Sequence, residues 1–486
     1  MKNFVANILE QSRHESNLDS VALRDLKTSI THNELHDLVI LTSSLLLENG
    51  LGKNNTVIVA CGNNIQQIII HYAVILAGGT SVPLSNNISN DRLEYFIKEL
   101  NPKVIFSERN YDVSGSTKLF SLTSLSHLID LLNVKNVNEC GCSIESYDVD
   151  PKQLVSIMYT SGSTGTPKGV LLNHGSVNQA LNNIINYIGY SNKSKEIIPL
   201  PLNHNFGLGH IYCTHLNGGS AYILDGLRSI KSFYSCFDLN YDALALSPSM
   251  LKILLSDKYL NKTISTFSKL KYMVVNSEKL PADMIELLLN SCPNLRLMYY
   301  YGLTEASRSF FITFNKKNKQ YFHSVGKPTS SNVKVRIVDG EIHIGGDHLF
   351  SGYWNEDSSQ IQDGFFPTGD LGYLDEEGYL FITGRKKDQI NVGGLKVSAE
   401  EVKCALLRID GIDDAVVVAL DDDITGEAPG ALVVGDPGID YKTVTLELRK
   451  QLEIYAIPKK IVFSDTIPRS DTGKMLISEV IKLIDK

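Results

Sequence analysis

The chain has 486 residues, of which 43% are hydrophobic and 21% are charged, and its net charge at pH 7 is -8. A chain of this length is too long to fold around one hydrophobic core, so we expect at least two domains. The composition is that of a globular protein and excludes a fibrous or disordered one. The acidic balance gives no basis for nucleic acid as the main partner.

The cysteines and the hydropathy of the chain indicate the cellular compartment in which the protein is expected. Seven cysteines are scattered along the chain, and no histidine pair accompanies Cys140 and Cys142, the two that are close in sequence. This predicts reduced thiols rather than a metal site. The first residues lack the apolar run of a signal peptide, and no stretch reaches the roughly 18–20 apolar residues of a membrane span. We expect a cytoplasmic protein without a membrane span, either a monomer or a homodimer.

Helical and strand-like patterns alternate along the first part of the chain. The predicted helices cover residues 35–49, 65–76 and 284–289, and the predicted strands cover residues 56–60, 103–106 and 273–275. Such alternation is typical of an α/β layer structure around a largely parallel sheet.

The pattern changes from about residue 333. Asp339-Gly340 stands between two strand-like runs, 334–338 and 341–344, and predicts a β-hairpin with a type I′ turn. The last hundred residues predict a compact unit of mixed elements. A strand predicted at residues 379–383 precedes this unit. The unit's predicted strands cover residues 415–420, 431–434 and 460–463, and its predicted helices cover residues 399–407 and 445–452. We place the domain boundary in the run GRKKD, which gives domains 1–385 and 386–486.

Residues 159–170 read YTSGSTGTPKGV and lie between two predicted strands, 155–158 and 170–172. Glycines let backbone N–H groups approach phosphate oxygens, hydroxyls add donors, and Lys168 adds a point charge. Pro167 before the lysine excludes the Walker A pattern. A surface linker would not need Thr-Pro-Lys-Gly running straight into an apolar strand. The predicted phosphate contacts are Thr160, Ser161, Gly162, Ser163, Thr164, Gly165, Thr166 and Lys168.

This segment resembles the signature of the adenylate-forming superfamily, which includes acyl-CoA synthetases, adenylation domains and luciferases. Four further segments resemble motifs of that family in the same order. They are YGLTE at 301–305, TGD at 368–370, GRKKD at 384–388 and PRSDTGK at 468–474. The resemblance covers nearly the whole chain. It implies a large N-terminal domain of layered sheets and helices plus a β-barrel-like part, and a small mobile α+β C-terminal domain.

The resemblance implies roles for the YGLTE residues. Tyr301 and Gly302 would lie against the adenine, for which Tyr301 offers an aromatic face. Thr304 would bond a phosphate. Glu305 would hold Mg²⁺, a hard cation that prefers oxygen ligands.

The later motifs complete the implied site. Asp370 would bond the ribose hydroxyls, and Arg385 would reach the ribose or a phosphate. Lys474 would place its ammonium between the substrate carboxylate and the α-phosphate of ATP, and is the implied catalytic lysine beside Lys168, Thr304 and Glu305.

The resemblance also implies a domain rotation between two half-reactions. Lys387 is the expected hinge, where a charged and solvent-tolerant residue suits a rotating backbone. Gly393 and Gly394 would then line a thiol tunnel. Lys396 would meet a phosphate of coenzyme A, unless it is an ordinary surface lysine.

The acid-binding residues are implied by a further segment. PLNHNFG at 201–207 resembles the Pro-x-x-His-x-x-Gly segment of acyl- and aryl-CoA ligases. Amino-acid-activating domains usually carry aspartate at the position of His204, so histidine favours an acid without an α-amino group. A packing histidine is the alternative. NSE at 276–278 replaces the more usual glycine-rich segment. The expected pocket residues are His204, Phe206, Asn276, Ser277 and Tyr300, with Arg308 as a further candidate.

We therefore predict an ATP-dependent, AMP-forming ligase that uses ATP and Mg²⁺. It would activate an acyl, aryl or hydroxy acid as an acyl-adenylate and transfer the acyl group to the thiol of CoA. The alternative is a stand-alone adenylation enzyme that loads an acyl or amino acid onto the phosphopantetheine of a carrier protein. A non-catalytic binding protein is a third possibility, against which the presence of Lys168, Glu305, Asp370, Arg385 and Lys474 argues.

Overall fold

The computed structural model describes most of the chain. The described residues are 1–111, 117–132, 148–160, 167–356, 360–393, 395–436, 438–469 and 475–485. The chain divides into two compact units, residues 1–334 with 344–366 and residues 335–343 with 367–486. The predicted domain boundary between residues 385 and 386 and the predicted hinge at Lys387 both stay predictions.

The first part of the first unit contains a six-stranded sheet and several helices. Its elements are α1 (Phe4–Ser12), β1 (Val21–Arg24), β2 (Ser29–Thr31), α2 (His32–Glu48), β3 (Thr56–Ala60), α3 (Ile65–Leu76), β4 (Thr80–Pro83), α4 (Asn90–Leu100), β5 (Val104–Ser107), β6 (Lys118–Ser121), α5 (Leu125–Leu132), β7 (Leu154–Thr160) and β8 (Lys168–Asn173). Six strands form one sheet in the order β6-β5-β3-β4-β7-β8, and only β8 runs antiparallel to its neighbour. Apolar residues of the sheet and of α4 form its core, among them Ile58, Ile105 and Phe96.

A second sheet of the same unit carries most of the predicted site. Its further elements are α6 (His174–Ile188), β9 (Lys195–Ile198), α7 (Asn205–Leu216), β10 (Ser220–Ile223), α8 (Ile230–Ser235), β11 (Ala243–Leu246), α9 (Pro248–Leu254), α10 (Leu260–Phe267), β12 (Tyr272–Val275), α11 (Ala282–Ser291), β13 (Arg296–Tyr301), β14 (Phe310–Phe314) and β15 (Ser324–Pro328). The strand order is β15-β14-β13-β12-β11-β9-β10-β1-β2. Neighbouring strands from β13 to β1 pair in parallel, whereas the pairs β13–β14, β14–β15 and β1–β2 are antiparallel.

The second unit contains two groups of strands. Its elements are β16 (Lys334–Val338), β17 (Glu341–Gly345), β18 (Phe365–Leu374), β19 (Leu380–Arg385), β20 (Gln389–Val392), β21 (Leu395–Ser398), α12 (Ala399–Leu406), β22 (Ile412–Asp422), β23 (Gly426–Gly435), α13 (Tyr441–Leu448), β24 (Lys460–Phe463) and α14 (Ile477–Ile484). One group has the order β16-β17-β18-β19, and the other has the order β21-β20-β23-β22 with β24 beside β23. The long β22–β23 hairpin contributes Val417 and Val433 to one apolar cluster and Val418 and Leu432 to another.

The predicted α/β class is confirmed. The helix at 65–76 and the strands at 56–60 and 460–463 have the predicted bounds. Asp339 and Gly340 have φ of 50° and 79°, as a type I′ turn requires. Helix α2 begins three residues earlier than predicted, because Thr31 and Glu34 form a capping box. Within the described part of the chain, no helix is both long enough and apolar enough to cross a membrane.

His71 and His215 of the first unit are fully buried and neutral. His215 Nε2 lies 3.2 Å from the carbonyl oxygen of Ala22, and its Nδ1 lies 2.9 Å from the Tyr72 hydroxyl. Because a carbonyl only accepts, Nε2 carries the hydrogen and Nδ1 accepts from Tyr72. His71 is likewise hydrogen-bonded to the Tyr212 hydroxyl. Burial lowers the pKa of both imidazoles to about 3.

Acidification from pH 7 to pH 5 is therefore expected to destabilise the protein. An unfolded histidine binds a proton near pH 6.5, whereas folded His71 and His215 stay neutral down to about pH 3. The unfolded state thus gains protons first, and each histidine lowers the free energy of unfolding by about 2 kcal/mol at pH 5. Urea unfolding at both pH values measures the loss. His71→Gln should reduce the pH dependence and the exposed His323→Gln should not; equal wild-type midpoints at pH 5 and pH 7 would contradict this account.

Candidate active site

The predicted site segments of the first unit follow the carboxyl ends of neighbouring parallel strands. The segment PLNHNFG follows β9, NSE follows β12, and YGLTE begins at the last residue of β13. Ligands of open α/β sheets bind outside the carboxyl ends of the strands. The topology therefore brings these three segments to one edge of the sheet.

The segment with the predicted phosphate contacts, residues 159–170, is called the phosphate loop; it includes the end of β7 and the start of β8, which pair with each other. Thr160 at the end of β7 lies opposite Lys168 at the start of β8 in the antiparallel pair, and Thr160 is half-buried. A Cβ on Gly169 would lie 2.9 Å from Ile157 and 3.0 Å from Trp354, so this end of the loop is tightly packed. The loop residues Ser161, Gly162, Ser163, Thr164, Gly165 and Thr166 lie outside the described residues, and their predicted contacts stay predictions.

Lys168 has two partners in the segment that follows residue 349. Its Nζ lies 3.0 Å from Oε1 of Glu356 and 4.8 Å from the centroid of the Tyr353 ring. The lysine side chain is 36% exposed. The ion pair and the aromatic face hold the ammonium beside the loop while leaving it accessible.

Glu305 is linked to the same tyrosine. The Tyr353 hydroxyl donates to Oε1 of Glu305 at 2.8 Å, and Glu305 is half-buried. Burial raises the pKa of Tyr353 far above its usual range, and the charge of Glu305 adds to this rise. Tyr353 therefore stays protonated and can orient the carboxylate. It joins two residues, Lys168 and Glu305, that were assigned separate roles.

Sequence reasoning missed this bridging segment, residues 349–356. The backbone N–H of Phe350 donates to the Glu305 carbonyl, and that of Trp354 donates to the Gly169 carbonyl at 2.7 Å. The segment thus ties the YGLTE turn to the strand after the phosphate loop. The only sequence hint is the aromatic pair Tyr353-Trp354 beside a glycine.

The YGLTE turn has little room for other residues. Tyr301 is 7% exposed, and its ring centroid lies 6.1 Å from that of Phe310. A Cβ on Gly302 would lie 2.5 Å from the backbone nitrogen of Arg308, so this position requires glycine. Thr304 is half-buried within the turn. Contacts of these residues with adenine and phosphate stay predictions.

Three of the five predicted acid-pocket residues lie together. The ring centroids of Phe206 and Tyr300 are 5.5 Å apart, and Tyr300 is hydrogen-bonded to the side chain of Asn276. Ser277 is exposed and has φ of 90°, a conformation that favours glycine, so it keeps the backbone expected of the usual glycine-rich segment. His204 precedes α7 and is half-buried. Their role in binding an acid stays a prediction.

The second unit contains the Asp370–Arg385 pair. Nε of Arg385 lies 2.8 Å from Oδ1 of Asp370, which is 3% exposed. The Thr368 hydroxyl accepts from the backbone N–H of Asp370 and donates to the Ile342 carbonyl. Gly369 has φ of 73°. These contacts hold the aspartate at a fixed place on β18, and its contact with the ribose stays a prediction.

A second pair beside it was not predicted. The Glu341 carboxylate accepts from the backbone N–H of Gly369 at 3.0 Å and from the Lys386 ammonium at 2.7 Å. Burial acts to raise the pKa of Glu341, but these two hydrogen bonds outweigh it and leave that pKa lowered. Glu341 therefore anchors both the TGD turn and the residue next to the proposed hinge.

The hinge and tunnel residues are described in part. Lys387 lies in a 3-10 turn, Lys386–Asp388, directly after β19. Gly393 has φ of 60° in the tight turn between β20 and β21, where its N–H donates to the Thr425 carbonyl. Lys396 belongs to β21. Gly394 and Lys474 lie outside the described residues, so the roles of all five residues stay predictions.

The residues present fit a magnesium ion that completes its shell with phosphate oxygens. Glu305 offers a half-buried carboxylate with one oxygen bonded to Tyr353. Among the described residues, no group of three or more His, Cys, Asp or Glu is placed to hold a metal. A Mg²⁺ site built from one carboxylate, substrate phosphates and water is common in enzymes that use ATP.

Comparisons with known proteins agree with these segments. The model of the family AMP-binding enzyme matches residues 9–354, and that of the AMP-binding enzyme C-terminal domain matches residues 401–474. The probable CoA ligase CCL9 of Humulus lupulus is 28% identical over 92% of this chain and 90% of its own. A 2-succinylbenzoate–CoA ligase of Bacillus cereus is 26% identical, with 96% of each chain covered.

A solved structure shows the same fold. ATP-bound MatB from Rhodopseudomonas palustris is 25% identical, covers 99% of each chain and has a TM-score of 0.86. The predicted adenylate-forming fold and the predicted class of activity, AMP-forming acid ligation, are confirmed by the family and these relatives. From these matches and the order of its motifs, the chain belongs to the family of AMP-binding enzymes.

Proposed function

We propose that this enzyme joins a carboxylic acid to CoA in two steps, with an acyl-adenylate between them. The proposal rests mainly on Tyr353, whose ring contacts Lys168 and whose hydroxyl binds Glu305. Tyr353 thereby links the lysine of the phosphate loop to the glutamate of the YGLTE turn. A cation and a carboxylate so placed suit ATP phosphates and their magnesium ion. Relatives named as CoA ligases and a fold shared with ATP-bound MatB support it.

In the first step, a carboxylate oxygen of the acid attacks the α-phosphorus of ATP. The new O–P bond forms as the bond to the β-phosphate breaks, and pyrophosphate leaves. Two anions must approach each other, so the site must neutralise charge and align the reactants. Lys168 and Lys474 would supply positive charge, and Mg²⁺ on Glu305 would neutralise the phosphates.

In the second step, the CoA sulfur attacks the acyl carbonyl. The C–S bond forms, the bond to the AMP oxygen breaks, AMP leaves, and the thiol proton is released. Residues 386–486 would turn about Lys387 between the steps. Gly393 and Gly394 would then line the path of the thiol, and Lys396 would meet a phosphate of CoA.

Pyrophosphate exchange with a panel of fatty, aryl, hydroxy and amino acids tests the first step. We expect exchange that depends on ATP, Mg²⁺ and a carboxylic acid without an α-amino group. The preferred acid is then supplied with CoA or with a phosphopantetheinylated carrier protein, and the thioester product is measured. Formation of acyl-CoA is the expected result.

Two outcomes would change the proposal. If the acyl group were transferred only to the carrier protein, that protein and not CoA would be the acceptor, and the proposed adenylation step would stand. Absence of exchange with every acid, together with failure to bind ATP, would instead favour a non-catalytic protein of the same fold.

A further inference from the structure

Arg308 is a buried cation three residues after Glu305. It is 1% exposed and is the largest of the fully buried side chains among the described residues. Its φ is 60°, a left-handed conformation that is strained for a residue with a side chain. The fold therefore holds this arginine in place at a cost.

The described partners of the guanidinium are all uncharged. Nη2 donates to the Asn205 carbonyl oxygen at 2.8 Å, and Nη1 donates to the Asn205 side-chain oxygen at 3.4 Å and to the Ser307 hydroxyl. Nε is buried and has no hydrogen-bond partner in the described part of the chain. A buried charge without an opposite charge is costly, and so is a buried donor without an acceptor.

The chain makes room for this side chain in helix α7. A Cβ on Gly209 would lie 1.5 Å from Nη2 of Arg308. Glycine in a helix interior is less stable than alanine. Gly209 thus provides the space in which the guanidinium packs.

Arg308 lines a cavity that has both polar and apolar lining residues. Asn205, Ser307 and His348 contribute polar groups, and Val177 and Leu181 are among the apolar residues. The cavity has a volume of about 10 Å³, which is room for about one water molecule. A ligand larger than one water molecule must shift the lining side chains, so a short molecule fits better than a long chain.

The arginine adjoins the predicted acid pocket. Asn205, which accepts from it, is the chain neighbour of Phe206. Phe206 in turn packs against Tyr300, with ring centroids 5.5 Å apart. Burial raises the pKa of Tyr300 to about 12, and the charge of Arg308 acts against this rise. The hydrogen bonds to Asn205 therefore attach the cation to the segment that carries Phe206.

We propose that Arg308 binds a second carboxylate of the acid substrate, so that the enzyme activates a short dicarboxylic acid. This inference rests on the proposed function. A carboxylate can accept two parallel N–H bonds from a guanidinium and supplies the missing negative charge. A site built for such a group rejects an analogue that lacks it by a large factor. One carboxylate is activated while the other fixes the acid.

Matched acids differing in one carboxylate test the inference through pyrophosphate exchange. The pairs are malonate with propanoate, succinate with butanoate, and glutarate with pentanoate. For the preferred chain length, we expect wild-type kcat/KM to be at least about 100-fold higher for the diacid. Arg308→Met should remove at least about 100-fold of the diacid activity and leave the monoacid activity similar. Gly209→Ala should act in the same direction by displacing the guanidinium.

Control measurements separate a specificity role from a structural one. Arg296, the first residue of β13, also donates to backbone carbonyl oxygens, those of Tyr187 and Ile188. Arg296→Met should therefore change mono- and diacid activity equally. Equal losses for both acids in Arg308→Met, or a wild-type preference for the monoacids, would overturn the inference and leave the proposed function standing.

Direct binding keeps the two proposals distinguishable. Calorimetric titration of wild type and Arg308→Met with the three diacids in the absence of ATP, where no adenylation can occur, measures affinity without turnover. Arg308-dependent diacid binding without any exchange would support the anion site and contradict the ligase function. Absence of Arg308-dependent binding for all three diacids would overturn the inference.

Discussion

Replacement of Lys474 by alanine is expected to lower pyrophosphate exchange by about two to three orders of magnitude while largely sparing thiolysis of a supplied acyl-adenylate. The expectation rests on the resemblance of PRSDTGK to the catalytic lysine loop, since Lys474 lies outside the described residues. An ammonium between two reacting anions stabilises the transition state of the first step, whereas the second step has no such meeting of anions. Exchange and thiolysis assays on one preparation compare the two rates.

A neighbouring lysine provides the control for Lys474. Lys482 is exposed in the last turn of α14, and Lys482→Ala should leave both half-reactions unchanged. If Lys474→Ala lost exchange and thiolysis equally, the proposal that the two steps use different domain orientations would be wrong.

Replacement of Glu305 by glutamine is expected to lower kcat for exchange by about 100-fold and to raise the Mg²⁺ concentration for half-maximal activity by about tenfold. The amide keeps the size of the carboxylate and loses the charge that attracts a hard cation. Exchange rates over a Mg²⁺ titration at saturating ATP give both quantities.

Two controls bracket the Glu305 result. Tyr353→Phe removes the hydroxyl that orients Oε1 but keeps the charge, so its effect should be smaller, less than about tenfold. Glu286, which pairs with Lys319 on the surface, should tolerate glutamine without change. A Mg²⁺ dependence of Glu305→Gln identical to that of wild type would exclude Glu305 as a metal ligand.

Local patterns were sufficient to predict much of the fold and the order of the site segments. The helix at 65–76 and the turn at Asp339-Gly340 depend on side chains that are adjacent in sequence, and their bounds were predicted well. Glycine-rich and YGLTE segments likewise carry their chemistry within a few residues. These features are visible without tertiary information.

Contacts between distant residues could not be predicted in the same way. Tyr353 is 48 residues from Glu305, and Glu356 is 188 residues from Lys168. Glu341 meets Lys386 across 45 residues. Each of these partners is a common residue type in an ordinary sequence context. These residues come together only through the pairing of strands and, in the first unit, through the packing of residues 349–356.

The ion pair of Lys168 with Glu356 has a consequence for how ATP arrives. The ammonium beside the phosphate loop is already neutralised by a carboxylate 3.0 Å away. On the proposed function, phosphate oxygens replace that carboxylate, so nucleotide binding is an exchange of one anion for another. The net gain of attraction at Lys168 is then small, and the displaced Glu356 carboxylate returns to water. Discrimination of ATP from simple phosphate must therefore come from groups other than Lys168.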